Sequence, residues 1–343
     1  MKQFEYNRPT TVAEAISAAA HADTAYLAAG TNLLDLMKAG ASRPSRLVDI
    51  THLPGLDRIE RLAEGGIRVG ALVRNADLAR DADFARSYPS VAEALLSGAS
   101  AQLRNAATVG GNLLQRTRCS YFYDTASRCN KREPGSGCDA RGSECRLHAV
   151  LGWDESCIAT HPSDFCVPLA ALDAIVEIEG RHGARELPLT ELHCLPGDAP
   201  ERDNALEPGD LIVAIRLPPA AHWFASHSSY LKIRERTSFA FGVVSTAASL
   251  RMEEGTIAEA RLALGGVAAK PWRALAAEQS LQGSAPGEAK FRAAADIALA
   301  KARPSGDNEF KIELARRVIV QALTRAASGE LPRLPAFPAS PFA

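Results

Sequence analysis

Five of the seven cysteines lie between residues 119 and 157, and no other feature of the sequence restricts the fold as strongly. An even distribution over the chain would place about one cysteine there. The successive spacings are 10, 9, 7 and 12 residues, so the C-x-x-C pair that is usual in zinc ribbons and ferredoxins is absent. Because the intervening residues show no apolar periodicity, the segment is predicted to be a loop. Its cysteines are Cys119, Cys129, Cys138, Cys145 and Cys157.

Three interpretations of this cysteine loop are open: an iron–sulfur cluster, a zinc site, and disulfides or free thiols. Disulfides would require an oxidising compartment and would leave one of the five thiols unpaired. Residues 101–148 contain eight Lys and Arg against four Asp and Glu. This positive excess would offset the negative charge of four thiolates around an iron–sulfur core, so we favour the cluster.

Two turns rich in small residues are candidates for binding a diphosphate. In the first, a predicted strand over 25–29 leads through a Gly-Thr-Asn turn at 30–32 into a predicted helix over 33–39, which ends at Gly40. A strand, a turn of small residues and a helix start form the arrangement in which backbone N–H groups receive a phosphate. The same arrangement also serves as a plain connection between a strand and a helix.

The second turn runs from 105 to 113 and contains the adjacent glycines Gly110 and Gly111. Glycines adopt positive φ and let the main chain approach a ligand without a Cβ clash. Thr108 and Asn112 add a hydroxyl and an amide. Since the two turns lie about 80 residues apart, we expect them to hold the two sides of one dinucleotide diphosphate.

Several function classes are excluded by the sequence. The Walker motif G-x-x-x-x-G-K-[ST] is absent. Residues 135–140 satisfy G-x-G-x-x-A, but the polar segment before them is not the buried strand of a Rossmann unit. No H-E-x-x-H or G-x-S-x-G motif supports hydrolysis. A net charge of −1 argues against a nucleic-acid partner. No apolar run is long enough to span a membrane, and the N-terminus has no signal-peptide core.

Five short motifs carry a resemblance to a known family: Ala28–Leu33, Ile67–Ala71, Thr108–Asn112, His161–Asp164 and Tyr230–Lys232. In this order, and over most of the chain, they resemble the FAD-binding medium subunits of the xanthine dehydrogenase and molybdenum hydroxylase family. The cysteine loop, through 115–124, 129–131 and 134–138, is similar to that of the flavin subunits of periplasmic aldehyde oxidoreductases. That branch carries an additional [4Fe-4S] cluster beside the flavin.

The resemblance implies which residues hold the cofactor. Asp164 would hydrogen-bond FAD, although its position before Phe165 also suits a helix N-cap. Lys232 would lie at the flavin end, where a cation stabilises reduced flavin, or would be an ordinary exposed strand lysine. Leu211 would pack against the isoalloxazine ring from a strand over 211–217, and Ala71 would lie near the adenosine. The pyrophosphate would contact Ala28, Ala29, Gly30, Thr31, Asn32, Leu33, Thr108, Gly110, Gly111 and Asn112.

Two positions depart from the family pattern. Many relatives have glycine where this chain has Ala29, and the methyl group is tolerable if φ stays negative. The cluster ligands implied by the resemblance are Cys119, Cys129, Cys138 and Cys157. Cys145 has no counterpart, so it either replaces Cys138 or Cys157 or is not a ligand.

The fold implied is α+β: a two-lobed, PCMH-like FAD-binding fold followed by a C-terminal α+β domain of the CO dehydrogenase flavoprotein type. We assign residues 1–57 to the first lobe and 58–222 to the second, with the iron–sulfur cysteine insert at about 115–160. Residues 223–343 form the C-terminal domain with a Pro-rich tail.

The function implied is electron transfer in a molybdenum hydroxylase that oxidises aldehydes. The partners would be a molybdenum-cofactor large subunit and a [2Fe-2S] small subunit in a heterotrimer, and FAD would reduce an external electron acceptor. A partner that bears the export signal would carry the chain to the periplasm, and a cytoplasmic location is the alternative. The alternative function is a non-redox scaffold whose cysteine loop is a zinc-stapled docking module.

Overall fold

The structure is a computed structural model that describes residues 1–329. The predicted Pro-rich tail lies outside these described residues. Three β-sheets with helices packed against them make up the described chain, which confirms the predicted α+β class. Within residues 1–329, no helix combines the length and the apolar character needed to cross a membrane.

The first sheet is parallel, with strands in the order β1-β3-β2. Thr11 and Glu14 start the first helix as a capping box, in which each side chain accepts a hydrogen bond from the other residue's backbone N–H. The second helix has the predicted bounds and ends at Gly40, whose φ of 78° suits glycine. The elements are β1 (Glu5–Asn7), α1 (Val12–Ala19), β2 (Thr24–Leu27), α2 (Leu33–Ala39) and β3 (Arg46–Asp49).

The second sheet is antiparallel, with strands in the order β4-β5-β8-β6-β7. Its central strand β8 has the predicted bounds and is almost entirely buried, as expected for a run of Leu, Ile and Val between two partner strands. The elements are β4 (Ile59–Arg61), β5 (Ile67–Gly70), α3 (Asn75–Arg80), α4 (Ala82–Ser87), α5 (Pro89–Ser97), α6 (Ala101–Ala106), α7 (Val109–Leu113), α8 (Ser120–Tyr123), α9 (Cys166–Ala171), β6 (Ile175–Gly180), β7 (Gly183–Pro188), α10 (Leu189–Leu192) and β8 (Leu211–Leu217).

The third sheet is antiparallel, with strands in the order β12-β11-β10-β9, and α13 packs against β9 and β10. Glu254 and Gly255 join β10 to β11 with positive φ angles of 48° and 77°, as a tight hairpin requires. A 3-10 helix (Pro219–Phe224) precedes this sheet. The elements are β9 (Ser228–Ile233), β10 (Val244–Glu253), β11 (Thr256–Gly265), β12 (Trp272–Arg273), α11 (Leu275–Leu281), α12 (Glu288–Ala298) and α13 (Phe310–Ser328).

Two contacts between distant segments position the site. An apolar cluster that includes Val48, Ile50, Leu72, Leu211 and Val213 packs the first sheet against the second. The cysteine loop is held against the third sheet by α13, where the buried ammonium group of Lys311 donates to three backbone carbonyl groups at 2.7–3.0 Å. Lys311 therefore ties the cysteine loop to α13 and to the end of β11.

Candidate functional site

The two turns predicted to bind a diphosphate face each other across one cleft. The side-chain amide of Asn32 donates to the carbonyl oxygen of Gly111 at 3.5 Å. Both turns line the same compartment of the cleft, which we call the first compartment, together with Leu211 and Ala71. Its walls include Tyr26, residues 28–33, Ile50, Ala71, Leu72, Thr108, Gly110, Gly111, Leu114, Arg116, Leu211 and Ile212. The tertiary structure thus joins segments from both lobes in one site.

The first turn presents unpaired backbone donors. Gly30 has a φ of 74°, and Ala29 is not among the residues with positive φ, so its methyl group is tolerated as predicted. Within residues 1–329, the backbone N–H groups of Thr31, Asn32 and Leu33 donate to no other protein group. Because unpaired N–H groups favour a negatively charged ligand, this turn suits a phosphate.

The second turn uses its glycines differently from the prediction, because neither Gly110 nor Gly111 has a positive φ. The N–H of Gly110 donates to the carbonyl of Ala71 at 2.9 Å, and that of Gly111 donates to the hydroxyl of Thr108 at 3.3 Å. A Cβ atom at Gly110 would lie 2.8 Å from the Cβ of Ala71, whereas one at Gly111 would meet only the Thr108 hydroxyl, at 3.1 Å. Gly110 therefore permits close packing, and Gly111 keeps the cleft open.

A second compartment continues the cleft beyond Thr31 and Asn32, which line both compartments. Arg118 forms part of the wall of this second compartment. Its guanidinium donates to the hydroxyl of Tyr123 at 2.8 Å and stacks on the ring of Phe241 at 4.9 Å. The second compartment is the larger of the two, with an empty volume of about 1620 Å³ against about 990 Å³ for the first, and both are open to solvent. Its walls include Asn75, Leu95, Leu103, Arg104, Asn112, Gln115, Arg118, Pro162, Asp164, Phe165, Phe239 and Phe241.

Asp164 lines the second compartment and is held by two buried partners. Its carboxylate accepts hydrogen bonds from the hydroxyl of Tyr230 at 2.6 Å and from the ammonium group of Lys232 at 2.7 Å. Burial, with the Asp164 charge beside it, raises the pKa of Tyr230 well above its usual value. The Lys232 side chain is 3% exposed, and its ammonium group also donates to the carbonyl of Ser97. It is therefore neither an exposed strand lysine nor part of the cleft wall.

The N-cap role suggested for Asp164 is wrong. The hydroxyl of Ser163, one residue earlier, accepts the backbone N–H of Cys166 at the start of α9. Asp164 is left to bridge Lys232 and Tyr230 from the wall of the second compartment. Leu211 and Ala71 both line the first compartment, whereas Asp164 lines the second. Residues predicted to contact FAD therefore lie in both compartments of the cleft.

Comparison with known proteins identifies the family to which this chain belongs. Residues 2–220 match the family model "FAD binding domain in molybdopterin dehydrogenase", and residues 229–326 match "CO dehydrogenase flavoprotein C-terminal domain". The chain is 48% identical over 328 residues to the aldehyde oxidoreductase FAD-binding subunit PaoB of Escherichia coli K12, covering 95% of this chain and 99% of the relative. The chain is an FAD-binding medium subunit of the molybdenum hydroxylase family.

This medium subunit is also similar, along nearly its whole length, to a CO dehydrogenase medium chain. It is 26% identical to the carbon monoxide dehydrogenase medium chain of Hydrogenophaga pseudoflava, over 94% of this chain and 97% of the relative. A solved structure of that organism's CO dehydrogenase matches with a TM-score of 0.74 at 26% identity, covering 96% of this chain and 98% of the other. The predicted family and fold are confirmed.

The four predicted cluster ligands of the medium subunit, Cys119, Cys129, Cys138 and Cys157, line one small cavity, which we call the cysteine cavity. Residues 129 and 138 pair across it as an isolated antiparallel bridge. All seven cysteines are free, which contradicts the disulfide interpretation but not the interpretation as free thiols. The remaining walls include Thr117, Tyr121, Phe122, Arg128, Lys131, Ala140, His148, Ile158 and Ala159.

The protein environment of the cysteine cavity suits a metal centre. Burial raises the pKa of Cys119 to about 12 and that of Cys157 to about 11, and it also raises the pKa of Cys138. Thiols in such surroundings remain protonated unless a cation draws them into the thiolate form. Four converging thiols provide the donor set of both a Cys₄ zinc site and an iron–sulfur cluster.

Cys145 does not line the cysteine cavity. Its thiol donates to the carboxylate of Asp307 at 2.9 Å, and its backbone N–H donates to the same oxygen at 3.1 Å. His148, three residues later, occupies the wall instead, with Nε2 3.1 Å from the sulfur of Cys119. Sequence reasoning missed this histidine because a single histidine in an irregular loop carries no spacing signal.

Four basic residues in or just before the cysteine loop are divided among three sites, which corrects the expectation that all eight offset a cluster. Arg128 and Lys131 line the cysteine cavity. Arg116 lines the first compartment of the FAD cleft and Arg118 the second. The loop therefore contributes cations to the flavin site as well, which its sequence alone does not indicate.

A second group of buried donors lies beneath the second turn. The donor atoms of His161, Cys166 and His193 lie within 4.8 Å of one another. The centroids of the two imidazole rings lie 4.2 Å apart with their planes tilted by 59°, and Nε2 of His193 lies 2.8 Å from the carbonyl oxygen of Leu113. Burial lowers the pKa of His193 to about 4 and that of His161 well below its usual value, so both rings are neutral. This neutral pair supports the end of α7.

Proposed function

We propose that this medium subunit transfers electrons in an aldehyde-oxidising molybdenum hydroxylase and carries a [4Fe-4S] cluster in addition to FAD. The convergence of four thiols from a 39-residue segment on one cavity carries the proposal. The 48% identity to a subunit named for aldehyde oxidation supports the choice of substrate class. When bound, FAD and the cluster would pass electrons from a partner's [2Fe-2S] centres to an external acceptor.

The chain's own residues would bind and orient FAD along the cleft. The unpaired N–H groups of residues 31–33 would receive the pyrophosphate, opposite the open face of Gly111. Arg116 and Arg118 add positive charge on either side of this point. The carboxylate of Asp164, fixed by its two buried partners, would accept a hydrogen bond from the cofactor in the second compartment.

Cys119, Cys129, Cys138 and Cys157 would hold the cluster as thiolates. Lys131 already lowers the pKa of Cys157 against the larger effect of burial, so its ammonium group favours the charged form of a ligand. His148 is placed to donate a hydrogen bond to the sulfur of Cys119. The enclosed, mostly apolar wall with Phe122 and Ile158 limits the access of water.

The assembly and the location are part of the proposal. We expect a heterotrimer with a molybdenum-cofactor subunit and a [2Fe-2S] subunit, in the periplasm, with the export signal on a partner. Fractionation of cells that express the subunit with and without its partners tests this. Recovery from the periplasm only in the presence of the partners is expected, and recovery from the cytoplasm in both cases would contradict the location.

Metal analysis of the co-expressed complex tests the cluster. We expect about four iron and four sulfide beyond the partner's [2Fe-2S] content in the wild type. Cys157→Ser should lose this iron, because its thiol lines the cysteine cavity. Cys145→Ser is the matched control and should retain it, because its thiol faces Asp307 instead. One zinc in place of the additional iron would refute the cluster, and full iron in Cys157→Ser would refute the ligand set.

A further inference from the structure

One carboxylate connects the FAD cleft with the cysteine cavity. Asp203 lies between α10 and β8 and forms ion pairs with Arg116 and with Lys131. Arg116 lines the first compartment of the cleft, whereas Lys131 lines the cysteine cavity. Asp203 is therefore shared by two cations that belong to two different sites.

The geometry fixes both cations. The ammonium group of Lys131 lies 2.7 Å from the carboxylate of Asp203 and donates to the carbonyl of Pro200 at 2.6 Å, and the Lys131 side chain is 4% exposed. The guanidinium of Arg116 donates to the other oxygen of Asp203 and also to the carbonyl of Glu201 at 3.3 Å. The backbone of Asp203 is anchored in turn, because its carbonyl accepts the N–H of Cys194 at 3.0 Å.

A thin layer of side chains separates the two sites at this point. The guanidinium of Arg116 stacks on the ring of Phe122 at 4.7 Å, and this fully buried ring forms part of the cysteine cavity wall. The side chains of Asp203 and Arg116 are 22% and 27% exposed, so water screens their charges less than it screens fully exposed charges. A change in the charge of Asp203 therefore changes the electrostatic potential both in the FAD cleft and in the cysteine cavity.

We propose that Asp203 is a positioning residue that holds one cation at each site and lowers the reduction potential of the cofactor on either side. A cofactor gains negative charge on reduction, so the fixed anion disfavours its reduced form, while the two cations favour it. That the cleft binds a flavin follows from the family of this subunit, and the effect of Asp203 on this flavin is the flavin half of the proposal. The cysteine half rests on the proposed cluster.

Redox titration of the co-expressed complex tests the inference, with flavin absorbance and the EPR signal of the reduced cluster as readouts. In Asp203→Asn, the ratio of reduced to oxidised form at a fixed solution potential should increase about three- to tenfold for both cofactors. A tenfold change corresponds to 59 mV for a one-electron couple. The matched control is Asp198→Asn, because Asp198 is exposed in the same segment and forms no ion pair within residues 1–329. It should leave both potentials unchanged.

Each outcome decides one question. Unchanged potentials in Asp203→Asn, with both cofactors present, would overturn the inference and leave the proposed cluster standing. A shifted flavin potential without additional iron would support the flavin half and overturn the proposed cluster together with the cysteine half. If Asp203→Asn does not retain its cofactors, Lys131→Gln decides instead. Removal of this cation should lower the cluster potential more than the flavin potential, and equal or absent shifts would overturn the coupling.

Discussion

Gly110 and Gly111 are neighbours in one turn, yet a methyl group should have opposite consequences at the two positions. At Gly110 the new Cβ would lie 2.8 Å from the Cβ of Ala71 and 3.0 Å from its carbonyl oxygen, whereas non-bonded carbons prefer about 3.5–4.0 Å. Relief requires α7 to move away from the end of β5, and such overpacking costs about 1–3 kcal/mol. The better helix propensity of alanine returns up to about 1 kcal/mol. We therefore expect Gly110→Ala to destabilise the subunit by about 1–2 kcal/mol.

At Gly111 the methyl group would meet only the Thr108 hydroxyl, at 3.1 Å, and would otherwise project into the first compartment. The free energy of unfolding of the flavin-free protein should therefore equal that of the wild type or exceed it by up to about 1 kcal/mol, because only this one contact opposes the better helix propensity of alanine. FAD should bind at least tenfold more weakly, a loss of about 1.4 kcal/mol, because the methyl group occupies space on the cofactor side of the turn.

Two measurements on the flavin-free subunit separate these effects. Urea unfolding followed by tryptophan fluorescence gives the stability of each variant, and titration with FAD followed by quenching of flavin fluorescence gives its affinity. Wild-type FAD affinity in Gly111→Ala would show that this face does not meet the cofactor. Wild-type stability in Gly110→Ala would show that α7 is not held against Ala71.

Three further predictions concern buried polar groups. Asp164→Asn and Lys232→Met should each cost about 3–5 kcal/mol, because each leaves an unpaired buried charge; the double variant should cost less than the sum, and additive losses in urea unfolding would contradict the pairing. Burial raises the pKa of Glu93 to about 7 from 4.5, so the folded state binds its proton more tightly than the unfolded state. Stability should fall as the pH rises from about 4.5 to above 7, and Glu93→Gln should lack this component in urea unfolding at a series of pH values; an unchanged slope would contradict it. Thr108→Val removes the acceptor for the N–H of Gly111 and should cost about 1 kcal/mol, so an unchanged melting temperature would show that this cap contributes nothing.

Local signals predicted the elements that surround the site. The helix over 33–39 and the strand over 211–217 have the predicted bounds. In the first case a C-terminal glycine ends the helix, and in the second an uninterrupted apolar run forms a buried strand. These signals act over a few residues, so they can be read without knowledge of the fold.

Partners that are distant in the sequence were not predictable in this way. Cys145 pairs with Asp307, 162 residues away, and Lys232 pairs with Asp164, 68 residues away. No short-range pattern distinguishes a lysine that faces a flavin from one that lies behind the cleft wall. The second turn shows the same limit, because the N–H of Gly110 is occupied by Ala71 from another segment.

By itself, the sequence determined the α+β class, the two small-residue turns, the family and the four thiols that meet in the cysteine cavity. Each of these depends on the order and identity of residues within short segments. Only the tertiary structure decided which cations face the flavin cleft, which face the thiols, and that Asp203 lies between them. The physical reason is that the energies of ion pairs and close packing depend on distances in space, and these are set when the lobes and the C-terminal domain pack together.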